Sequence, residues 1–189
     1  MSINLKELEQ SESLRTIIFS LTVPTYQELL DNKDLDLSFS PLNACYSKPE
    51  NGKERSWYDV RLTIDGEDNL PSRKNWFYLM TDNGHLFKAC FSGRGQQIKW
   101  LNAFEKKEII GEWIKTRLVN WDLIEEYEYA SEDYEGYGII TKEILECFGN
   151  DKVFLKKTTK TKTDKEGIER DVWLISFPFA LLLQKYKYC

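Results

Sequence analysis

The chain has 189 residues, 41% hydrophobic and 14% aromatic, enough to bury a sizeable core as one domain with room for an extra subdomain. Its formal net charge of −5 and pI near 5.1 argue against indiscriminate nucleic-acid binding, because phosphate affinity comes largely from Lys and Arg displacing counterions. Nothing approaches the roughly 18 consecutive apolar residues of a membrane span, and the start MSINLKELEQSES lacks the basic-then-apolar pattern of a signal peptide, so a soluble, cytoplasmic protein with no membrane partner is expected.

Residues 1–34 read as an N-terminal extension that mixes helix signals (LKELEQ, TYQELLDN) with a strand-like run, TIIFSLTV, ended by Pro24. LDLSFS then alternates over Leu35, Leu37 and Phe39 as a half-buried strand does. The polar stretch PLNACYSKPENGKERS follows as a long loop. WYDVRLTI resumes the alternation, with Trp57, Asp59, Arg61 and Thr63 on one face and Tyr58, Val60, Leu62 and Ile64 on the other. WFYLMT and HLFKACF flank Asp82-Asn83-Gly84, the strongest short-range hairpin signal in the chain. His85, the only histidine, falls just after that turn and reads as a polar strand residue.

SGRGQQIK comes next, a loop in which Gly93 and Gly95 permit backbone shapes a strand refuses. Asn102 with Glu105 reads as a helix cap, and Ile109, Ile110, Trp113, Ile114 and Leu118 recur at helical spacing beyond it. Between Leu118 and Gly136 stand Asp122, Glu125, Glu126, Glu128, Glu132, Asp133 and Glu135 with no base, best read as a solvated acidic excursion because no calcium-loop spacing is present. Thr141 caps a short helix stopped by Gly149, with Ile144, Leu145 and Phe148 facing inward. A long final hairpin turns at Asp164-Lys165-Glu166-Gly167; its lysines Lys156, Lys157, Lys160 and Lys162 read as the solvated face of an edge strand rather than as a phosphate surface. The tail, residues 178–189, fits either a strand or a short helix.

Chemistry-bearing patterns are sparse. Cys45, Cys90, Cys147 and Cys189 are scattered without a Cys-x-x-Cys pair and read as reduced, mostly buried thiols; neither a zinc site nor a disulfide framework is expected, and no cofactor is implied. There is no Gly-rich phosphate loop and no Ser or Cys nucleophile motif. His85-Leu86-Phe87-Lys88 misses the His-x-Lys spacing of a phospholipase-D nuclease. Glu105-Lys106-Lys107 has the letters of a metal-dependent nuclease motif, but at the expected start of a helix an acid belongs for capping and dipole reasons. No catalytic or metal-ligating residue is therefore assigned. The two polar loops, by contrast, are rich in donors: Arg94, Gln96 and Gln97, flanked by Ser92 and Lys99, and Asn43, Tyr46, Ser47, Lys48, Lys53 and Arg55. By residue type either loop fits an ordinary solvated turn or a nucleic-acid contact.

The order of motifs resembles the B3-like DNA-recognition domains at the C-terminal end of phospholipase-D-type restriction endonucleases, relatives of the plant B3 domains. The resemblance rests on Phe77 to Cys90 with TDNG at its turn, on IIGEWIKTRL, on IITKEIL, FGNDKVFLK and DVWLISF, and on Leu42-Asn43 followed by WYDVRL. It spans Leu35 to Phe177. The first arm lacks the family's Trp-Gly-Gln-Arg run, the acidic stretch Val119 to Glu135 is extra, and the last hairpin is longer. The resemblance implies a mainly β (α+β) fold, a B3-like open β pseudobarrel with two short helices, whose arms Leu42 to Ser56 and Ser92 to Lys99 enter the major groove. Arg94, Gln96 and Gln97 would then face base edges, since Arg pairs bidentately with guanine and Gln with adenine, while Ser92 and the lysines position the backbone.

The implied function is sequence-specific binding of double-stranded DNA as the target-recognition part of a prokaryotic restriction system, with cleavage in a separate nuclease subunit or domain. Two alternatives stand beside it: a small magnesium-dependent endonuclease using Glu105 and Lys107 with an acid such as Asp82, and a protein-interaction domain whose acidic insert, residues 119–135, binds a basic partner.

Overall fold

A computed structural model describes residues 3–33, 35–46, 53–67, 69–93 and 98–179. The chain forms two compact units, one from residues 1–19, 63–106 and 152–177, the other from residues 20–62, 107–151 and 178–189.

The first unit is built on a curled, seven-stranded mixed sheet, the half-barrel expected of an open pseudobarrel. Its strands are β1 (Ser13–Ser20), β2 (Thr63–Asp65), β3 (Phe77–Thr81), β4 (Leu86–Ser92), β5 (Ile98–Ala103), β6 (Lys152–Thr163) and β7 (Glu169–Ser176), in the order β1-β6-β7-β3-β4-β5-β2. β3 is antiparallel to β4 and parallel to β7, and all five of its residues are buried, which is why FYLMT is a continuous run without polar alternation. The β3–β4 turn is the one expected, with Gly84 at φ 88°. The Asp82 carboxylate accepts from Phe177 N at 2.9 Å and fastens the turn to the end of β7.

Helix α1 (Leu5–Gln10) buries Leu8 against Tyr78, Met80, Val172 and Leu174. The helix ends under Lys156, whose amine donates to the carbonyls of Leu8, Glu9 and Ser11 at 3.1, 3.1 and 2.6 Å, a cation where the helix dipole is negative. The lysine tract is therefore not the face of an edge strand. β1 covers β6, Lys157 pairs with Asp171 at 2.7 Å, and the Lys162 amine lies 5.6 Å from the Tyr78 ring centre.

The second unit contains α2 (Tyr26–Asp31), α3 (Ile109–Asn120) and α4 (Lys142–Phe148), so the described residues hold four α-helices, two of them in the N-terminal segment beyond the pair expected. Thr141 caps α4, and Gly149, at φ 79°, ends it, as the sequence suggested. Of two expected strands, one is replaced by a turn and the other is cut short. LDLSFS folds as a 3-10 turn over Leu37–Phe39 that buries Leu37 and leaves Phe39 85% exposed. WYDVRLTI is extended in the sheet only at its end, Thr63–Asp65; before that, Asp59 N bonds to Ser56 O and Val60 N to Tyr58 O, tight local turns that break the alternation.

One glycine sets the packing of α3. A Cβ on Gly111 would lie 1.9 Å from the Tyr58 carbonyl oxygen, so the helix sits on backbone where no side chain fits. Gly111→Ala is expected to destabilise this unit by about 1–3 kcal/mol despite alanine's higher helix propensity; urea denaturation with an unchanged m-value would show it.

Candidate nucleic-acid interface

The foot of the first arm is assembled in the second unit around Trp57. Its indole donates to Gly138 O at 3.3 Å, and its backbone N to Glu128 O at 3.1 Å. Its carbonyl oxygen accepts from Cys45 Sγ at 3.2 Å and from the fully buried Lys115 amine, which also lies 4.3 Å from the Trp57 ring centre. Sequence reasoning missed Lys115 because a lysine one position past the apolar face reads as solvated. Burial drives its pKa down from 10.5 to about 8, with the Cys45 sulfur and the Asp59 carboxylate pulling the other way. Burial likewise pushes the Cys45 thiol up, so it is an unreactive one. Cys90 is also a buried free thiol, whereas Cys147 is exposed.

Around this centre the predicted arm residues divide. Asn43 is fully buried: its amide donates to Ile140 O at 2.7 Å and to Ser40 Oγ at 3.1 Å, and its carbonyl oxygen accepts from Ile140 N at 2.9 Å. It clamps the start of the arm, with its amide and carbonyl oxygen both engaged within the fold. Tyr46 donates to Asp133 at 3.0 Å, and that burial beside a carboxylate holds its phenol protonated far above the ordinary range. The Arg55 guanidinium spans to Ala44 O at 3.1 Å and to Asp59 at 3.3 Å, closing the arm's return onto its start. Lys53 is exposed. Ser47 and Lys48 lie outside the described residues.

The acidic stretch is largely solvated, as expected, and it also braces this foot. Asp133 accepts from Tyr46, from Tyr137 N at 2.9 Å and from Gly138 N, while Glu132 accepts from the backbone N of Glu128 and Tyr129 at 3.0 and 3.1 Å. Ser56 pairs with Tyr129 in an isolated antiparallel bridge, and the Tyr58 hydroxyl donates to Glu126.

In the first unit the second arm is a hairpin loop. β4 and β5 pair antiparallel from Ala89 opposite Ala103 to Ser92 opposite Trp100, so the connection narrows to residues 93–97 and Lys99 lies within β5, paired with Ile64 of β2. Arg94, Gln96 and Gln97 lie outside the described residues. The expected cap at Asn102 is overturned: Asn102 is in β5, where its amide donates to Ser92 Oγ at 2.7 Å and to Trp100 O at 2.9 Å, tying the loop's two stems. Helix α3 begins seven residues later, at Ile109, and Glu105 does not start it; its carboxylate accepts from Lys88 N at 3.2 Å. The ladder prevails over the local capping signal because several cross-strand bonds outweigh a cap worth roughly 1 kcal/mol.

A cleft of about 220 Å³ at this loop's foot is lined by Arg73, Cys90, Ser92, Asn102, Ala103 and Phe104. The exposed Arg73 guanidinium sits 5.3 Å from the Phe104 ring centre, and Phe91 N bonds to Pro71 O, laying the basic turn Arg73–Asn75 along β4. The adjacent Arg73 and Lys74 in a polar turn were the signal available in the sequence. Of the residues in the nuclease alternative, Asp82 is engaged by Phe177 N, and Lys107 pairs with Asp59 at 2.9 Å. No three acidic, histidine or cysteine side chains come together as a metal site among the described residues.

The family model of the NgoFVII C-terminal B3-like DNA-binding domain matches residues 18–148. The chain belongs to this family. It is a B3-like DNA-binding domain of the restriction-enzyme type, and DNA is its partner. The match takes in both loops and both of their feet. No curated protein matches the chain. Among the described residues no helix is long and apolar enough to cross a membrane.

The buried amine gives this B3-like domain a pH signature. From pH 8 to 10.5 the unfolded chain holds a proton on Lys115 that the folded chain has released, so stability rises with pH across that window, and the whole penalty is present below pH 8. Lys115→Met should remove this rise, a difference of order 3 kcal/mol between the two chains' pH profiles. Denaturation of both proteins from pH 7 to 11 measures it.

Proposed function

We propose that this domain reads a short double-stranded DNA sequence in the major groove and serves as the target-recognition part of a prokaryotic restriction system, with cleavage in a separate nuclease subunit or domain. The observation that carries the reading is the family match over a hairpin loop, residues 93–97, that bears Arg94, Gln96 and Gln97 without an acid and stands on a braced strand pair. The stems hold the two ends of this loop in place through the β4–β5 pairing and the Asn102–Ser92 hydrogen bond.

Arg94, Gln96 and Gln97 contact base edges, and Ser47 and Lys48 of the first arm contact the DNA backbone. Lys53, Lys99 and Arg73 contact phosphate. Asn43, Tyr46 and Arg55 act through the first arm by holding its ends, and Ser92 does the same for the second.

Selection from a random duplex pool at low salt is expected to enrich one short sequence; no enrichment would sink the reading. On the enriched duplex, Arg94→Ala and Gln96→Ala should each lose roughly 1–3 kcal/mol of discrimination at one base position. Arg73→Ala and Lys53→Ala should instead weaken all duplexes alike and reduce the slope of log K against log salt by about one each.

A further inference from the structure

The second unit carries a cleft of about 840 Å³, lined by none of the residues proposed above to touch DNA. Ten large apolar or aromatic side chains are exposed among the described residues, and four of them, Tyr26 (59%), Leu30 (54%), Tyr134 (92%) and Tyr137 (56%), line this one cleft. Scattered exposed apolar groups need no explanation, but a cluster rimmed by polar residues marks a contact surface. The rim is acidic: Asp133, Glu135 and Glu143 stand against Lys33 alone. Glu125, Glu126, Glu128 and Glu132 precede it in the chain.

Both walls are fixed in advance. On one side, Thr25 and Glu28 form a reciprocal capping box at the start of α2, and Glu143 of α4 accepts from Tyr26 N at 3.0 Å. On the other, Asp133 holds the turn through Tyr137 N and Gly138 N, Gly136 takes φ 82°, and a Cβ on Gly138 would lie 2.5 Å from the Tyr46 hydroxyl. A rigid apolar floor under a negative rim repels phosphate and suits a cation joined to bulky apolar groups.

We infer that this cleft docks a basic segment of a partner protein, with leucine-like or aromatic anchors seated between Tyr26, Leu30, Tyr134 and Tyr137 and lysine or arginine side chains meeting Asp133, Glu135 and Glu143. The anchors supply the affinity and the charges the choice of partner. The proposal is independent of which bases the loops read.

A random 12-residue peptide library displayed on phage and selected on the whole chain tests it. Enriched peptides should combine Lys or Arg with Leu, Phe or Trp, and a synthesised winner should bind more weakly as salt rises. Affinity should fall at least tenfold in the double variant Leu30→Ala/Tyr137→Ala and in Glu135→Lys, both with unchanged melting temperature and unchanged affinity for DNA. Enrichment of neutral or acidic peptides, no enrichment, or winners that bind the variants equally would each overturn it. So would enrichment that occurs only when Lys185 and Lys187 are both changed to Glu, since the chain's own basic segment Leu181 to Lys187 would then be the occupant.

Discussion

The first arm depends on one buried carbonyl. The Trp57 oxygen accepts from Cys45, near the start of the arm, and from Lys115 on α3, while the indole of the same residue reaches Gly138. Burying an amine with only a carbonyl, a thiol and a ring for company costs several kcal/mol that an apolar side chain would not. What the amine adds is direction: a hydrocarbon in its place would pack but would not specify which carbonyl it met. Three segments distant in sequence are brought to a single point, and Asn43 and Arg55 complete the fastening on either side.

The elements legible in the sequence are those whose local chemistry leaves one solution. Asp82-Asn83-Gly84 between apolar runs gives the β3–β4 hairpin, Thr141 and Gly149 bound α4, and Asp164 to Gly167 turns the last hairpin. Illegible elements were decided by distant partners. The alternation in LDLSFS holds as well for a 3-10 turn that buries Leu37 and exposes Phe39. WYDVRLTI is turned out of extended conformation because Trp57 and Tyr58 are claimed by residues 111–138. Asn102 and Glu105 satisfy a capping pattern that β4 overrides by pairing as far as Ala103.

The same asymmetry governs the site. The positions of the two loops followed from composition and motif order, but the roles of individual residues did not, since a polar side chain next to a loop serves equally as a reader or as a brace. Asn43, Arg55 and Tyr46 are donors of the kind a DNA contact uses, yet their partners are Ile140, Ala44, Asp59 and Asp133. Arg73 shows the converse. In sequence it belongs to a turn between strands, and only the pairing of β4 with its neighbours brings it to the foot of the second loop.

Net charge is a poor guide to this protein because several of its charges are paired within the fold. Lys156 closes a helix, Lys157 neutralises Asp171, Lys115 is buried, and Asp133 and Glu132 are consumed by backbone N–H groups. Among the described residues, the bases left exposed near the loops, such as Lys53 and Arg73, are few. Since each phosphate contact adds to binding of every sequence equally, a domain with few of them gains little on arbitrary DNA. Under the proposed reading, affinity for a preferred site comes from the loop residues, and the ratio of specific to non-specific binding rises as the uniform term shrinks. An overall charge of −5 is then consistent with selective DNA recognition, and it suppresses the indiscriminate kind.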